Sequence, residues 1–220
     1  YEVCAQLTEY ARTLEPEGVT ISLGGEIGEV GGHNSTVPEL DAFMTGYIDT
    51  LPKHLEGISK ISVQTGTSHG GVVLPDGTLA DVNVDFETLG ELSRVARESY
   101  GLGGAVQHGA STLPEEAFSK FPEIGTLEIH LATGFQNLIF DHAPESLVQR
   151  AYGFVNEQFA SERKANQTED QFLYTTRKKA FGGMKRDWWD MEEADQQRIG
   201  DALQQQFEIL FTQLNVGDTV

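Results

Sequence analysis

Two stretches of the sequence share one local grammar: an apolar run, then histidine, then glycine. Ile58 to Gln64 leads into Gly66-Thr67-Ser68-His69-Gly70-Gly71, and Ala105 to Gln107 leads into His108-Gly109-Ala110-Ser111. A third apolar run, Val19 to Leu23, ends close to Glu26, and a fourth, Leu127 to Leu131, carries His130 and is followed by Thr133. Neutral imidazole and carboxylate are the ligands a divalent transition metal takes, and a catalytic ion keeps one position open for substrate. His69, His108 and Glu26 can converge on one point if they stand at the ends of adjacent strands. With no cysteine cluster in the chain, a catalytic ion is favoured over a structural one. The backbone N–H groups of Gly70, Gly71 and Gly109, with the hydroxyls of Ser68, Ser111 and Thr133, are donors suited to a phosphate, above all where a helix N-terminus follows. Each feature also has a plainer reading. One histidine at a strand end is more often a satisfied structural residue, and glycines there serve equally well as turn chemistry. Two histidines in matching contexts, with an acid near a neighbouring strand, shift the balance towards a metal site.

Those positions matter only if the strands are parallel and adjacent. Residues 2 to 13 read as an amphipathic helix with Val3, Leu7, Tyr10, Ala11 and Leu14 near helical spacing. After the strand at Val19 to Leu23 and a glycine-rich segment, a helix is expected over about 38 to 50, with Ser35 or Thr36 as N-cap and Pro38 in its first turn. A helix over about 86 to 99 places Phe86, Leu89, Leu92, Val95 and Ala96 on one face, and another starts at Pro114. Beyond Thr133 the pattern is helical nearly to the end, with a break around Gly182-Gly183. Strands that alternate with helices at this spacing pair in parallel, because each crossover needs a helix to return the chain. The expected class is therefore α/β, either a small open sheet or half of a (β/α)8 barrel. The chain reads as a single domain over 1–220, with βα units over 1–145 and C-terminal helices over 146–220. Chemistry in such folds collects outside the carboxyl ends of the strands, where His69, His108, His130 and Glu26 all fall.

The chain has 220 residues, 15 Lys+Arg against 34 Asp+Glu, and a formal net charge of -19. A surface that negative repels phosphate backbones and anionic headgroups, which argues against nucleic acid or a membrane as partner. High acidity more often marks a solvated surface, including one adapted to high salt, than a binding function. The single cysteine, Cys4, cannot form an internal disulfide, so a reducing, cytoplasmic compartment is expected. No apolar run of transmembrane length occurs in the sequence, and no charged-then-apolar secretory leader is expected. The chain begins at Tyr1 with sequence that looks mid-domain, which suggests a fragment or a processed product.

The motifs resemble those of the class II, metal-dependent fructose-bisphosphate aldolase family. The matching stretches are Leu23 to Gly32, Gln64 to Gly70, Val106 to Ser111 and, more weakly, Glu128 to Gln136, in the family's order over roughly residues 1 to 145. The resemblance implies a (β/α)8 barrel in which His69 and His108 bind zinc, or another divalent metal, and Glu26 binds or accompanies it. A monovalent cation is a further expected cofactor. The phosphate of dihydroxyacetone phosphate would be held by Gly70, Gly109, Ser111 and Thr133, with His130 in the same group. A small sugar phosphate is thus the expected partner, in a homo-oligomeric lyase of glycolysis and carbohydrate metabolism. The implied reaction is reversible cleavage of fructose 1,6-bisphosphate, or a close ketose bisphosphate, with the metal stabilising the ene-diolate and no Schiff-base lysine required.

Three departures from the family pattern bear on this reading. The family's first four strands, with a further zinc-binding histidine and an acid/base aspartate in an Asp-His pair, would precede Tyr1. The chain therefore resembles strands 5 to 8 of the barrel, and alone it is expected to be inactive. Asp141-His142 offers such a pair only superficially, since it falls in a helical stretch and reads as helix-end residues. The loop after Glu26, which in the family carries a catalytic acid, here runs Gly32-His33-Asn34-Ser35. His33 could replace that acid, as could Glu29 or Glu39, or the function is lost. Where the family's last strand has Asn and Asp, this chain has His130 and Ala132. Those substitutions keep two other readings open: a non-catalytic aldolase-like phosphate-binding subunit, and a metal-dependent sugar-phosphate isomerase or epimerase.

Overall fold

Strands and helices alternate along the first 130 residues, as the apolar periodicity requires. In the computed structural model the described residues are 1–29, 32–67, 73–75, 80 and 83–217. Their contacts group into two units, one of residues 1–69, 83–110 and 116–130, the other of 70–82, 111–115 and 131–220.

The first unit contains α1 (Glu2–Thr13), β1 (Gly24–Glu26), α2 (Val37–Thr50), β2 (Lys60–Val63), α3 (Phe86–Tyr100), β3 (Ala105–Gln107), α4 (Lys120–Glu123) and β4 (Glu128–Ile129). All three strand pairings are parallel, and the strands lie side by side in chain order, β1-β2-β3-β4. Order that never reverses is that of consecutive strands in a (β/α) barrel, whereas a doubly wound sheet changes direction at a switch point. Helices cover one face of the sheet. Gly25 lies against the ring of Phe43 on α2, so close that a Cβ there would stand 2.9 Å from it, and α3 packs on β2 and β3. Local chemistry accounts for the helix starts. Thr36 caps α2 in a reciprocal capping box with Glu39, and Asp85 caps α3 by accepting from the backbone N–H of Thr88. Gly101, at φ 66, ends α3 in the left-handed region.

Three expectations are corrected. The first strand begins at Gly24, not Val19: Leu23 O accepts from the N–H and the hydroxyl of Ser59, and Val19 and Ile21 remain exposed. The helix expected from Pro114 is a 3-10 turn over Glu115–Ala117 followed by the single turn of α4. The apolar stripe of α1 faces outward, with Val3, Leu7, Tyr10 and Leu14 all more than 60% exposed. The opposite side of α1 is the one that docks, and polar bonds select it. Thr8 is buried and accepts from the Tyr47 hydroxyl at 3.0 Å, while Arg12, whose side chain is 5% exposed, reaches carbonyls of two other segments. Its guanidinium donates to Ile21 O, Glu56 O and Gly57 O, each at 2.8 Å, and pairs with Glu15. Replacing Arg12 with Met keeps the aliphatic stem but leaves these acceptors unmet. A stability loss of about 3 kcal/mol is expected, since single bonds to charged groups contribute 1.5–3 kcal/mol. Urea unfolding would measure it, and a loss below about 1 kcal/mol would show that water replaces the guanidinium at no cost.

The second unit contains α5 (Thr133–His142), α6 (Glu145–Phe159), α7 (Glu169–Thr176), α8 (Ala180–Gly183), α9 (Lys185–Trp189) and α10 (Glu193–Gln213). Its core is aromatic: Phe140, Phe172 and Trp188 are buried with Leu147, Ala151 and Val155. A second capping box, Thr168 with Gln171, starts α7. α8 stops at the Gly182-Gly183 pair where a break was expected. Among the described residues no helix is long and apolar enough to cross a membrane.

Candidate functional site

The sheet register determines which side chains can meet. Glu26, Ser62, Val106 and Glu128 occupy one row across the four strands. In a parallel sheet the members of a row project from the same face, and so does every second residue along each strand. Lys60, two before Ser62, and His108 and His130, two beyond Val106 and Glu128, therefore share that face with Glu26. It is the face opposite Ile61 and Val63, which are buried in the core.

His108 is the centre of this cluster. Its Nδ1 lies 3.9 Å from Glu26 Oε1 and its Nε2 lies 3.3 Å from Ser62 Oγ. The ring stacks on that of His130, with centroids 4.6 Å apart and planes 27° from parallel. His130 Nε2 is 3.2 Å from Glu128 Oε2, and Lys60 Nζ is 2.6 Å from Glu128 Oε1. The Lys60 ammonium, with a smaller contribution from His130, holds the Glu128 carboxyl below the usual range, so it is ionised at neutral pH. The chain turns away immediately after His108, where Gly109 has φ 74, a conformation that side chains with a Cβ rarely adopt. Behind His108, fully buried Gln107 donates to His108 O and Thr67 Oγ1 and accepts from Thr65 Oγ1, tying the carboxyl ends of β2 and β3 together.

Two nitrogen and oxygen ligands at 2.0–2.2 Å from a tetrahedral ion stand roughly 3.4 Å apart. The 3.9 Å between His108 and Glu26 therefore fits a shared ion after a small side-chain adjustment. His69 and Gly70 lie outside the described residues, and among the described residues no group of three His, Cys, Asp or Glu is close enough to hold an ion. His33 stands apart from this cluster in its bonding. Its side chain is 79% exposed, and its Nε2 is 3.1 Å from Oε1 of Glu39, the residue that completes the α2 capping box.

In the second unit, Ser111 and Thr133 meet at the start of α5. Ser111 Oγ accepts from the backbone N–H of Ala132 at 2.8 Å. Gly134 packs so tightly that a Cβ would lie 2.6 Å from Ser111 O. No side chain of its own caps α5, so the first N–H groups of this ten-residue helix point past Thr133 with their dipoles aligned, an arrangement that favours an anion. Asp141 and His142 are the last two residues of α5, and His142 Nδ1 is 2.9 Å from Leu138 O within the same helix.

Lys60, Ser62 and Glu128 did not stand out as functional residues in the sequence. Their signal is the alternation of Lys60 and Ser62 with Ile61 and Val63 in a strand that a parallel sheet should bury on both faces.

A family model described as fructose-bisphosphate aldolase class-II matches residues 1–198. The chain belongs to the class-II fructose-bisphosphate aldolase family. Among solved structures, this aldolase-family chain is similar to one described as a probable tagatose 6 phosphate kinase from Sinorhizobium meliloti 1021, at 16% identity and a TM-score of 0.52, over 99% of this chain and 56% of that one. A second is the YdjI aldolase from Escherichia coli K12, at 15% identity and a TM-score of 0.38, over 88% of this chain and 56% of that one. The first of these likenesses shows the fold, an α/β arrangement with a parallel sheet that corresponds to part of a barrel. The chain spans just over half the length of each. No protein of curated function matches it.

Proposed function

We propose that the protein carrying this chain is a zinc-dependent ketose-bisphosphate aldolase that reversibly cleaves fructose 1,6-bisphosphate to dihydroxyacetone phosphate and glyceraldehyde 3-phosphate. The observation that carries the reading is the convergence of His108 and Glu26, donors 3.9 Å apart on one sheet face at the carboxyl ends of parallel strands, in a chain of the aldolase family. His108 and Glu26, with His69, would hold the ion, which when bound supplies a Lewis acid for the ketone oxygen.

The chain's own residues have separate tasks. Ser111 and Thr133, at an uncapped helix start, and the glycine amides of Gly70 and Gly109 would bind phosphate oxygens. His130, with Nε2 directed to Glu128, has Nδ1 left to meet an oxygen of the bound sugar phosphate. Cleavage breaks the C3–C4 bond: the C4 hydroxyl gives up its proton, its oxygen becomes the aldehyde carbonyl, and the bonding pair passes into the C2–C3 fragment, which is then protonated at C3. His33 is the candidate for moving these protons, with Glu39 orienting its ring. A monovalent cation beside the phosphate, a homo-oligomeric assembly and a cytoplasmic location complete the proposal.

The test is turnover of fructose 1,6-bisphosphate by the intact protein before and after chelation. Activity that a chelator abolishes and zinc restores is the expected result. Activity unchanged in excess chelator would overturn the zinc-dependent reading, and metal binding without any cleavage would favour the non-catalytic subunit or the isomerase over the aldolase.

A further inference from the structure

Lys60 and Glu128 form an ion pair that no strand-pairing requirement explains. They sit on β2 and β4, with β3 between them, and meet across its surface at 2.6 Å. The Lys60 side chain is only 19% exposed, so its charge is largely withdrawn from water on a sheet face where an apolar pair would serve packing as well. The second oxygen of Glu128 points to His130 Nε2 at 3.2 Å, and the plane of His130 lies against His108. The four groups thus form a chain: ammonium, carboxylate, imidazole, imidazole. A carboxylate that accepts from one ring nitrogen fixes both the tautomer and the orientation of the ring, as outer carboxylates do for histidine ligands of metals.

We infer that Lys60 and Glu128 are positioning residues: the pair anchors His130, and the stacked His130 ring in turn sets the plane of His108. This role extends the reading of His108 as a metal ligand and rests on it for its consequence, which is a nitrogen donor pre-aimed towards the side of Glu26. An unanchored His130 is free to rotate off the stack, and one face of the His108 ring then loses its support while its edge contacts to Ser62 and Glu26 remain.

Two double variants of the intact protein separate positioning from simple charge pairing. Lys60→Met with Glu128→Leu removes the pair but preserves apolar volume, a replacement that is often neutral for folding. Lys60→Glu with Glu128→Lys restores an ion pair in reverse but puts an ammonium, which cannot accept a hydrogen bond, next to His130. The first readout is the through-space magnetic contact between the His108 and His130 rings in metal-free protein, using labelled histidine in a deuterated background. The second is cobalt(II) affinity, with the visible spectrum of the cobalt form reporting ligand geometry. Both variants are expected to lose the ring contact and to bind cobalt about 10- to 100-fold more weakly, the range found when outer-shell partners of metal ligands are removed. A ring contact that persists in the Met/Leu variant, or contact and affinity both restored by the charge swap, would overturn the inference. A parent protein that binds no cobalt would refute the metal reading alone, and the ring contact in the metal-free state would still decide the positioning role.

Discussion

Replacing His108 with Asn is expected to lower the proposed metal-assisted aldol cleavage by at least about a thousandfold, equivalent to roughly 4 kcal/mol of transition-state stabilisation, the scale of losing Lewis-acid assistance at a carbonyl. Asparagine retains a polar side chain at the end of β3 but offers no imidazole nitrogen to an ion, and it abolishes the stack on His130. The backbone has little reason to respond. The strand just before position 108 is fully buried, and His108 O remains bonded by Gln107 and Thr67, so folding should be almost unchanged. The check is a paired measurement of fructose 1,6-bisphosphate cleavage and zinc content. A variant that keeps activity within tenfold of the parent would remove His108 from the site. One that keeps bound zinc and loses activity would make His108 a substrate contact instead.

Phe140 carries the largest expected effect on stability. Its side chain is buried in the helical unit, with ring centroids 5.2 Å from Phe181, 5.2 Å from Trp188 and 6.3 Å from Tyr152. The Arg177 guanidinium lies over its face at 4.6 Å and is held there by donating to Asn137 Oδ1 at 2.8 Å. Phe140→Ala removes the ring, leaves a void that rigid aromatic neighbours close poorly, and deprives Arg177 of its cation–π partner. Truncations of this kind cost about 3–5 kcal/mol, a large fraction of the 5–15 kcal/mol that separates folded from unfolded domains. A marked fall in the urea midpoint is expected. Phe140→Leu, which refills most of the volume, should recover about half of the loss. If the alanine variant unfolded at the parental midpoint, the aromatic cluster would have to be loosely packed.

Features written in contiguous residues were legible before the fold was. The β3 strand, its turn into His108-Gly109, and the α2 start at Thr36 with Pro38 and Glu39 each depend on neighbours a few positions apart, and each is found where expected. The side of α1 that docks was misread, because apolar spacing favours Val3, Leu7, Tyr10 and Leu14, while the docking is governed by Thr8 and Arg12 through partners about 40 residues away. No periodicity encodes such a long-range polar bond. The Lys60–Glu128 pair was invisible for the same reason: its members are 68 residues apart and meet across an intervening strand. His33 has the converse lesson. Its place in a loop after Glu26 made it a catalytic candidate, yet the group it bonds is Glu39, six residues on, which also completes the α2 capping box. Gly134 illustrates a third limit. Its value depends on the approach of Ser111 O, which becomes evident only when two segments 23 residues apart are brought together.

The position of β3 in the sheet implies an uneven rigidity at the site. β3 is flanked by strands on both sides, all three of its residues are buried and α3 lies against it, so its amide protons should exchange with solvent only in rare, near-global openings. Among the described strands β1 pairs with β2 alone, and the Glu26 side chain that ends it is half in water. His108 thus inherits the immobility of a buried strand flanked on both sides, while the Glu26 carboxylate, half in water, keeps more freedom. An ion held between them would have one donor fixed in space and one able to swing as the coordination changes from water to substrate.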